Sequence, residues 1–209
     1  MKSFIETPVF QILCTIFDLV VLNLLYVLFC LPVVTIGAAT TSLYAALLAL
    51  LQDEAHVYTQ FLRAFRRYFR KSTVCWLLML LLAAVCCVDF VIIAVYWATS
   101  GKYVALGLLL SVLLLLLCTG SYLFPLLLGS QNIKQSLRIA LPLSMRHLPR
   151  TLLICIINIL PLLLLLFYTY GFLILFWLFL LIGFSLGAYV NCLFLKNILA
   201  PFLSENSSH

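Results

Sequence analysis

The sequence predicts an all-α integral membrane protein with about six transmembrane helices arranged in three hairpins. The composition, the long apolar runs and the one-sided placement of the cations all indicate this class. Of 209 residues, 66% are hydrophobic and only 9% are charged, and the mean hydropathy is +1.25. Soluble domains carry about 25% charged residues. This composition therefore cannot cover a water-facing surface, and lipid must be the main solvent.

Six apolar runs are candidates to cross a hydrocarbon core of about 30 Å. The chain forms one transmembrane domain, residues 1–209, with a loose polar tail at 204–209. Pro32 and Gly37 interrupt helix continuation between the first two runs, and Thr35 is expected to cap the second. The predicted spans cover about 11–34, 36–52, 73–98, 103–128, 151–167 and 172–195.

A basic, aromatic segment, VYTQFLRAFRRYFRK, fills residues 57–71 between spans two and three. Wound as a helix, it carries its aromatic side chains on one arc and its cations on the opposite arc. This pattern is typical of a helix that lies in the membrane interface. We therefore expect an interfacial amphipathic helix whose cations contact lipid or a partner: Arg63, Arg66, Arg67, Arg70 and Lys71.

The positions of the cations predict an orientation. With six spans, every Lys and Arg except Lys102 falls on the same side of the membrane. The positive-inside rule makes that side the cytoplasm. The sequence thus predicts a multi-pass protein of the cell membrane with both termini cytoplasmic. Contact with the anionic inner leaflet explains the net charge of +6, and no nucleic-acid partner is expected.

Five polar side chains within the spans form a candidate intramembrane site. Asp18 is expected about 10 Å from the cytoplasmic face and Asp89 about 24 Å, so the two carboxylates should not share a proton. Asn158, Asn191 and Asn23 are expected near the depth of Asp18. A solute or proton site is one interpretation; interhelical hydrogen bonding around a neutral Asp18 is the other.

No catalytic constellation is present in the sequence. It contains no HExxH or P-loop motif, and its one GxSxG match, at residues 183–187, lies inside the apolar run of predicted span six. The eight cysteines lie in apolar runs, none forms a CxxC pair, and none has a histidine at ligand spacing. We therefore expect no enzymatic activity, no metal site and no cofactor.

The run NLLYVLFCLPVVTIGAATTSLY at residues 23–44, followed by Phe61, residues 63–67 and Phe69, resembles the YesL-like family. This is a family of bacterial integral membrane proteins (domain of unknown function 624). The helix break of the motif falls on Pro32, Thr35 and Gly37. The chain departs from the family pattern at Tyr26, where Trp is frequent, and at Tyr68, where Asn is frequent.

The resemblance implies an association with carbohydrate uptake, because family members often sit beside genes for sugar transport and polysaccharide breakdown. Three functions are therefore open. The first is a non-enzymatic accessory or regulatory component of sugar ABC transport, which binds transporter subunits or a second copy of itself. The second is a small-solute transporter with a polar site near Asp18, and the third is a membrane sensor.

Overall fold

The protein is built from helices, and the residues that the structure describes contain no strand. The computed structural model describes residues 8–52, 56–96, 101–129, 133–146 and 179–193. Their helices are α1 Pro8–Cys30, α2 Ile36–Leu50, α3 Val57–Tyr96, α4 Lys102–Leu126, α5 Ile133–Arg146 and α6 Leu181–Leu193. A 3₁₀ turn, Val33–Thr35, joins α1 to α2, and a π-helical turn, Phe179–Gly183, opens α6.

Four of these helices are long and apolar enough to cross a membrane: α1, α2 with its preceding turn, α3 and α4. This confirms the predicted class, an all-helical membrane protein. Helices α1, α2 and α4 coincide with predicted spans one, two and four to within a few residues at each end. Predicted span five, at 151–167, and the tail, at 204–209, lie outside the described residues, and span six is described only from 179 to 193. The number of crossings stays a prediction.

The predicted separation of the basic segment from span three is wrong. Residues 57–71 are the first part of α3, which continues for 40 residues without a break to Tyr96. A helix of that length extends about 60 Å, twice the thickness of a hydrocarbon core. The basic segment is therefore continuous with the apolar half of the same helix and is not a separate element.

The apolar face of this basic half packs on α2 and on the end of α1. Val57, Phe61 and Ala64 are buried, and the Phe29 ring of α1 lies 5.7 Å from the Phe61 ring and 4.6 Å from the Phe65 ring. Protein, and not lipid, therefore covers the inner part of the face that the sequence assigned to the membrane interface.

Helices α3 and α4 form an antiparallel hairpin. The Tyr68 hydroxyl donates a hydrogen bond to the Leu128 carbonyl over 3.1 Å, near the end of α4. Further along α3, the Trp76 and Phe124 rings lie 6.3 Å apart. This register extends the basic half of α3 beyond the end of α4, close to where the second basic segment begins.

The two halves of the hairpin differ in burial. Beyond Trp76, α3 exposes most of its apolar side chains, including Leu81 at 66% and Val95 at 68%. The main hydrophobic core lies at the other end, where Phe61 and Tyr122 are fully buried. Exposed leucine and valine over this length require lipid as the surrounding medium.

Candidate functional site

The break between α1 and α2 is held by the motif residues Pro32, Thr35 and Gly37. Helix α1 ends at Cys30, because a proline at position 32 cannot donate the next helical hydrogen bond. The Thr35 hydroxyl lies 2.6 Å from the Phe29 carbonyl and 2.7 Å from the Pro32 carbonyl, to which it donates. The expected cap is therefore wrong in form: the hydroxyl makes no bond to an α2 amide and instead satisfies the end of α1.

Gly37 permits a close approach between α2 and α3. A Cβ atom at this position would lie 2.5 Å from the Trp76 Cβ and 2.7 Å from the Ser72 carbonyl oxygen. One turn away, the buried Ser72 hydroxyl donates to the Thr41 hydroxyl over 2.9 Å. The Trp76 indole donates to the Val33 carbonyl over 2.9 Å. Helix α2 is thus fixed against α3 along the side of the basic half.

The cations of α3 fall into two rows, because residues four apart share a helix face. Arg66 and Arg70 form the outer row; both are exposed, as are Arg63 and Arg67. Arg63 and Arg67 form the inner row, which borders α2. Lys71 continues the inner row and is partly buried. The sequence grouped all five cations together, and the structure gives the two rows different surroundings.

A cleft of about 430 Å³ lies between α2 and the inner row. The guanidinium carbon of Arg67 also lies 5.5 Å from the centroid of the Tyr68 ring, a cation–π geometry. The cleft carries most of its polar side chains on the α3 side and mainly small or apolar ones on the α2 side, where Gln52 is the polar exception. Its lining includes Gln52, Gln60, Arg63, Arg67, Tyr68 and Leu48.

Asn23 of the predicted polar site is buried and joins α1 to α6. Its side-chain oxygen accepts a hydrogen bond from the Ser185 backbone amide over 2.9 Å. The Ser185 hydroxyl donates to the Leu19 carbonyl over 2.7 Å. Both side chains are fully buried, and their hydrogen bonds hold α1 against α6 within the described part of the chain.

Asn191 lies further along α6 and is also fully buried. It neighbours the Tyr44 hydroxyl and Cys192. Among the described residues, neither its amide nitrogen nor its amide oxygen has a partner at hydrogen-bond geometry. A buried amide without partners is destabilising by roughly 1–3 kcal/mol, so this position is the unexplained polar feature of α6.

The two carboxylates of the predicted site lie on different helices. Asp18 is half-buried on α1, and Asp89 is exposed on the apolar half of α3. Asn158 lies outside the described residues. The described residues contain no group of three His, Cys, Asp or Glu side chains that could hold a metal ion.

A second cavity, also of about 430 Å³, opens among the apolar helices. It carries aromatic rings and a few hydroxyls, and sequence reasoning did not identify it because its walls come from five parts of the chain. Its lining includes Tyr26, Thr40, Tyr44, Trp76, Phe124 and Phe184.

Residues 19–90 match a family model described as a protein of unknown function, DUF624. This segment is similar to the DUF624 family. The match is consistent with the YesL-like resemblance seen in the sequence. No curated protein and no solved structure matches the chain.

The DUF624 segment contains the motif break, α2, both cation rows of α3 and most of the apolar half of α3. Helix α6, which supplies Ser185 and Asn191, lies outside it. The contacts made by the motif residues of the matched segment are packing contacts. Its exposed chemistry is the cation rows, and the cleft is the feature that the sequence did not reveal.

Proposed function

We propose that the protein is a non-enzymatic, multi-pass membrane component that docks on the cytoplasmic face of a partner through the outer row, Arg66 and Arg70. The partner that the family resemblance suggests is a subunit of a sugar ABC transporter. The observation that carries the proposal is the outer row itself, which stands exposed on a helix fixed by its opposite face.

The rigidity of the outer row favours docking on a partner over loose contact with lipid. The Phe65 ring lies 5.3 Å from the Phe69 ring and 4.6 Å from the Phe29 ring, so aromatic packing continues along one flank of the helix. A cation on a fixed helix loses less conformational entropy on binding than one on a mobile loop. A partner with acidic groups at matching spacing would therefore gain both affinity and orientation.

The second basic segment enlarges this surface. Helix α5 buries Ser136, Ala140 and Ser144 and exposes Lys134 and Arg138. It follows the end of α4, where the Tyr68–Leu128 hydrogen bond fixes the level of the basic half of α3. The positive-inside rule supports a cytoplasmic location for both segments.

The test is affinity purification in a mild detergent from cells that express the protein. We expect transporter subunits to copurify with the wild-type chain and to be lost with Arg66→Gln/Arg70→Gln. The matched control is Arg63→Gln/Arg67→Gln, which removes the same charge from the inner row and should retain the partner. Failure of the wild-type chain to recover any transporter subunit would contradict the proposal, as would equal recovery by the outer-row variant.

A small-solute carrier is the second candidate, and the Asn191 amide, which has no hydrogen-bond partner among the described residues, favours it. An amide buried beside Tyr44 offers both a donor and an acceptor to a polar solute. Solute flux in proteoliposomes separates the two candidates. A carrier should lose flux on Asn191→Leu or Asp18→Asn, whereas a docking component has no flux to lose.

A further inference from the structure

We propose that the cleft between α2 and the inner row binds a phosphate group, held by the guanidinium groups of Arg63 and Arg67. This site is distinct from the outer row, and it does not depend on the identity of the docking partner. The shared chemistry is a phosphate oxyanion, which either an anionic phospholipid headgroup or a free phosphate can supply.

The spacing of the two arginines suits one anion. Arg63 and Arg67 lie one turn apart on α3, so their Cα atoms are separated by about 6 Å along the axis and both side chains border the same cleft. Two planar guanidinium groups can each bind a phosphate through a pair of parallel hydrogen bonds. The Gln52 side chain on the opposite wall adds an amide donor.

The charge balance of the cleft favours an anion. None of the described residues that line it is acidic. Two guanidinium groups on adjacent turns repel each other, and a bound anion removes that repulsion. Asp53 and Glu54 follow Gln52 in the sequence and lie outside the described residues.

The Tyr68 ring, which lines the cleft, holds the Arg67 side chain in place. Its guanidinium group lies over the Tyr68 ring, whose hydroxyl is in turn bonded to the Leu128 carbonyl. A guanidinium group stacked on a fixed ring needs little reordering when the anion binds.

The remaining lining is apolar and accommodates more than the anion itself. Ala45, Leu48 and Ala49 of α2 and Leu128 after α4 form that wall. A volume of about 430 Å³ with this lining has room for the glycerol backbone next to a lipid phosphate. A soluble phosphate would use the polar wall alone.

The experiment is native mass spectrometry of the full-length protein in detergent, titrated separately with phosphatidic acid, phosphatidylcholine and inorganic phosphate. The variants are Arg63→Gln/Arg67→Gln and the charge-matched Arg66→Gln/Arg70→Gln. We expect the inner-row variant to bind phosphatidic acid about tenfold more weakly than the wild-type chain, and the outer-row variant to bind it normally. Phosphatidylcholine, whose headgroup has no net charge, should bind weakly to all three proteins.

The arms of the titration distinguish the two sources. Binding of phosphatidic acid that inorganic phosphate does not displace assigns the site to a lipid headgroup; displacement at matched concentrations assigns it to the free anion. Equal losses in both variants would overturn the proposal, because they would reflect general surface charge, and so would the absence of anion binding by the wild-type chain. Circular dichroism and thermal unfolding of each variant check that a loss of anion binding does not result from unfolding.

Failure here and failure of the docking proposal are separable. The inner-row variant alone tests the cleft, and the outer-row variant alone tests the docking surface.

Discussion

At the scale of single residues, the most constrained position is one that has no side chain. Gly37 lies where the α3 backbone and the Trp76 Cβ leave no room for a methyl group. The neighbouring atoms belong to the backbone and to the base of a side chain, so they cannot rotate away. The contact between α2 and α3 thus requires a residue without a Cβ atom at position 37. The buried Ser72–Thr41 hydrogen bond depends on that contact.

Replacing Gly37 with alanine should lower the free energy of unfolding by about 1–3 kcal/mol, because the added methyl forces α2 and α3 apart. Gly107→Ala is the matched control. It lies on the same kind of apolar helix with nothing within 4 Å of the new methyl, and alanine should there stabilise α4 by up to about 1 kcal/mol. Thermal unfolding in detergent measures both. Unfolding of Gly37→Ala at or above the wild-type temperature would show that the two helices do not meet at this point.

The sequence predicted that Gly37 helps to break the helix, but it did not predict the packing contact that Gly37 makes. Proline followed five positions later by glycine is a helix-breaking signal, and that part of the prediction agrees with the break between α1 and α2. The partner of Gly37 is Trp76, 39 positions later in the chain. Which face of α3 meets α2 depends on the register between helices, and residue spacing within one helix carries no information on that register.

At the scale of helices, the length of α3 organises the molecule. The sequence prediction ended the amphipathic helix at the change from cationic to apolar composition near Ser72. A change of composition does not end a helix, however, and residues 57–96 contain neither glycine nor proline. The absence of a breaking residue was the signal for a continuous helix, whereas the predicted break at Pro32 had both residue types to mark it.

The link between α1 and α2 gives a prediction at this scale. Thr35→Val keeps the shape of the side chain but removes the hydroxyl that satisfies the Phe29 and Pro32 carbonyls. We expect it to lower the free energy of unfolding by about 1 kcal/mol. Thr35→Ser retains the hydroxyl and should stay within a few tenths of that of the wild-type chain. Equal unfolding temperatures for the valine and serine variants would show that the hydroxyl bonds are not needed.

At the scale of the whole molecule, the register between helices limits where the bilayer can lie. From Trp76 to Tyr96, α3 extends about 30 Å, the full thickness of a hydrocarbon core. Trp76 bonds to Val33, and Gln52 lies by the cleft beside Gln60 and Arg63. Helix α2 therefore lies along the part of α3 that carries the cations and only begins at the level where the apolar half starts.

This register predicts that both ends of α2 are reached from the same side of the membrane. In a background with all eight native cysteines replaced by alanine, we expect Val33→Cys and Gln52→Cys to react with an impermeant maleimide only after the cells are lysed. Gly101→Cys, at the far end of the hairpin, should react in intact cells. Labelling of Val33→Cys from outside would instead show that α2 crosses the bilayer, as the six-span prediction requires.

The class of the protein was therefore readable from composition, and the places of α1, α2 and α4 from their apolar runs. The cation rows were visible as a group, but their division depends on α2 lying against one side of α3. The clefts could not be predicted, because each is lined by residues from three or more separate segments. Asn23 and Asn191 were identified by type, yet their neighbours Ser185 and Tyr44 emerge only from packing.

Because α3 is continuous, a tilt of its lipid-exposed half also moves its basic half. Its basic half forms an arm of about 22 Å from Val57 to Lys71, with no joint between it and the lipid-exposed half. A long helix answers a thinner bilayer by tilting, and a tilt of about 10° moves the tip of such an arm by roughly 4 Å. Bilayer thickness is in this way transmitted to the positions of the arginines.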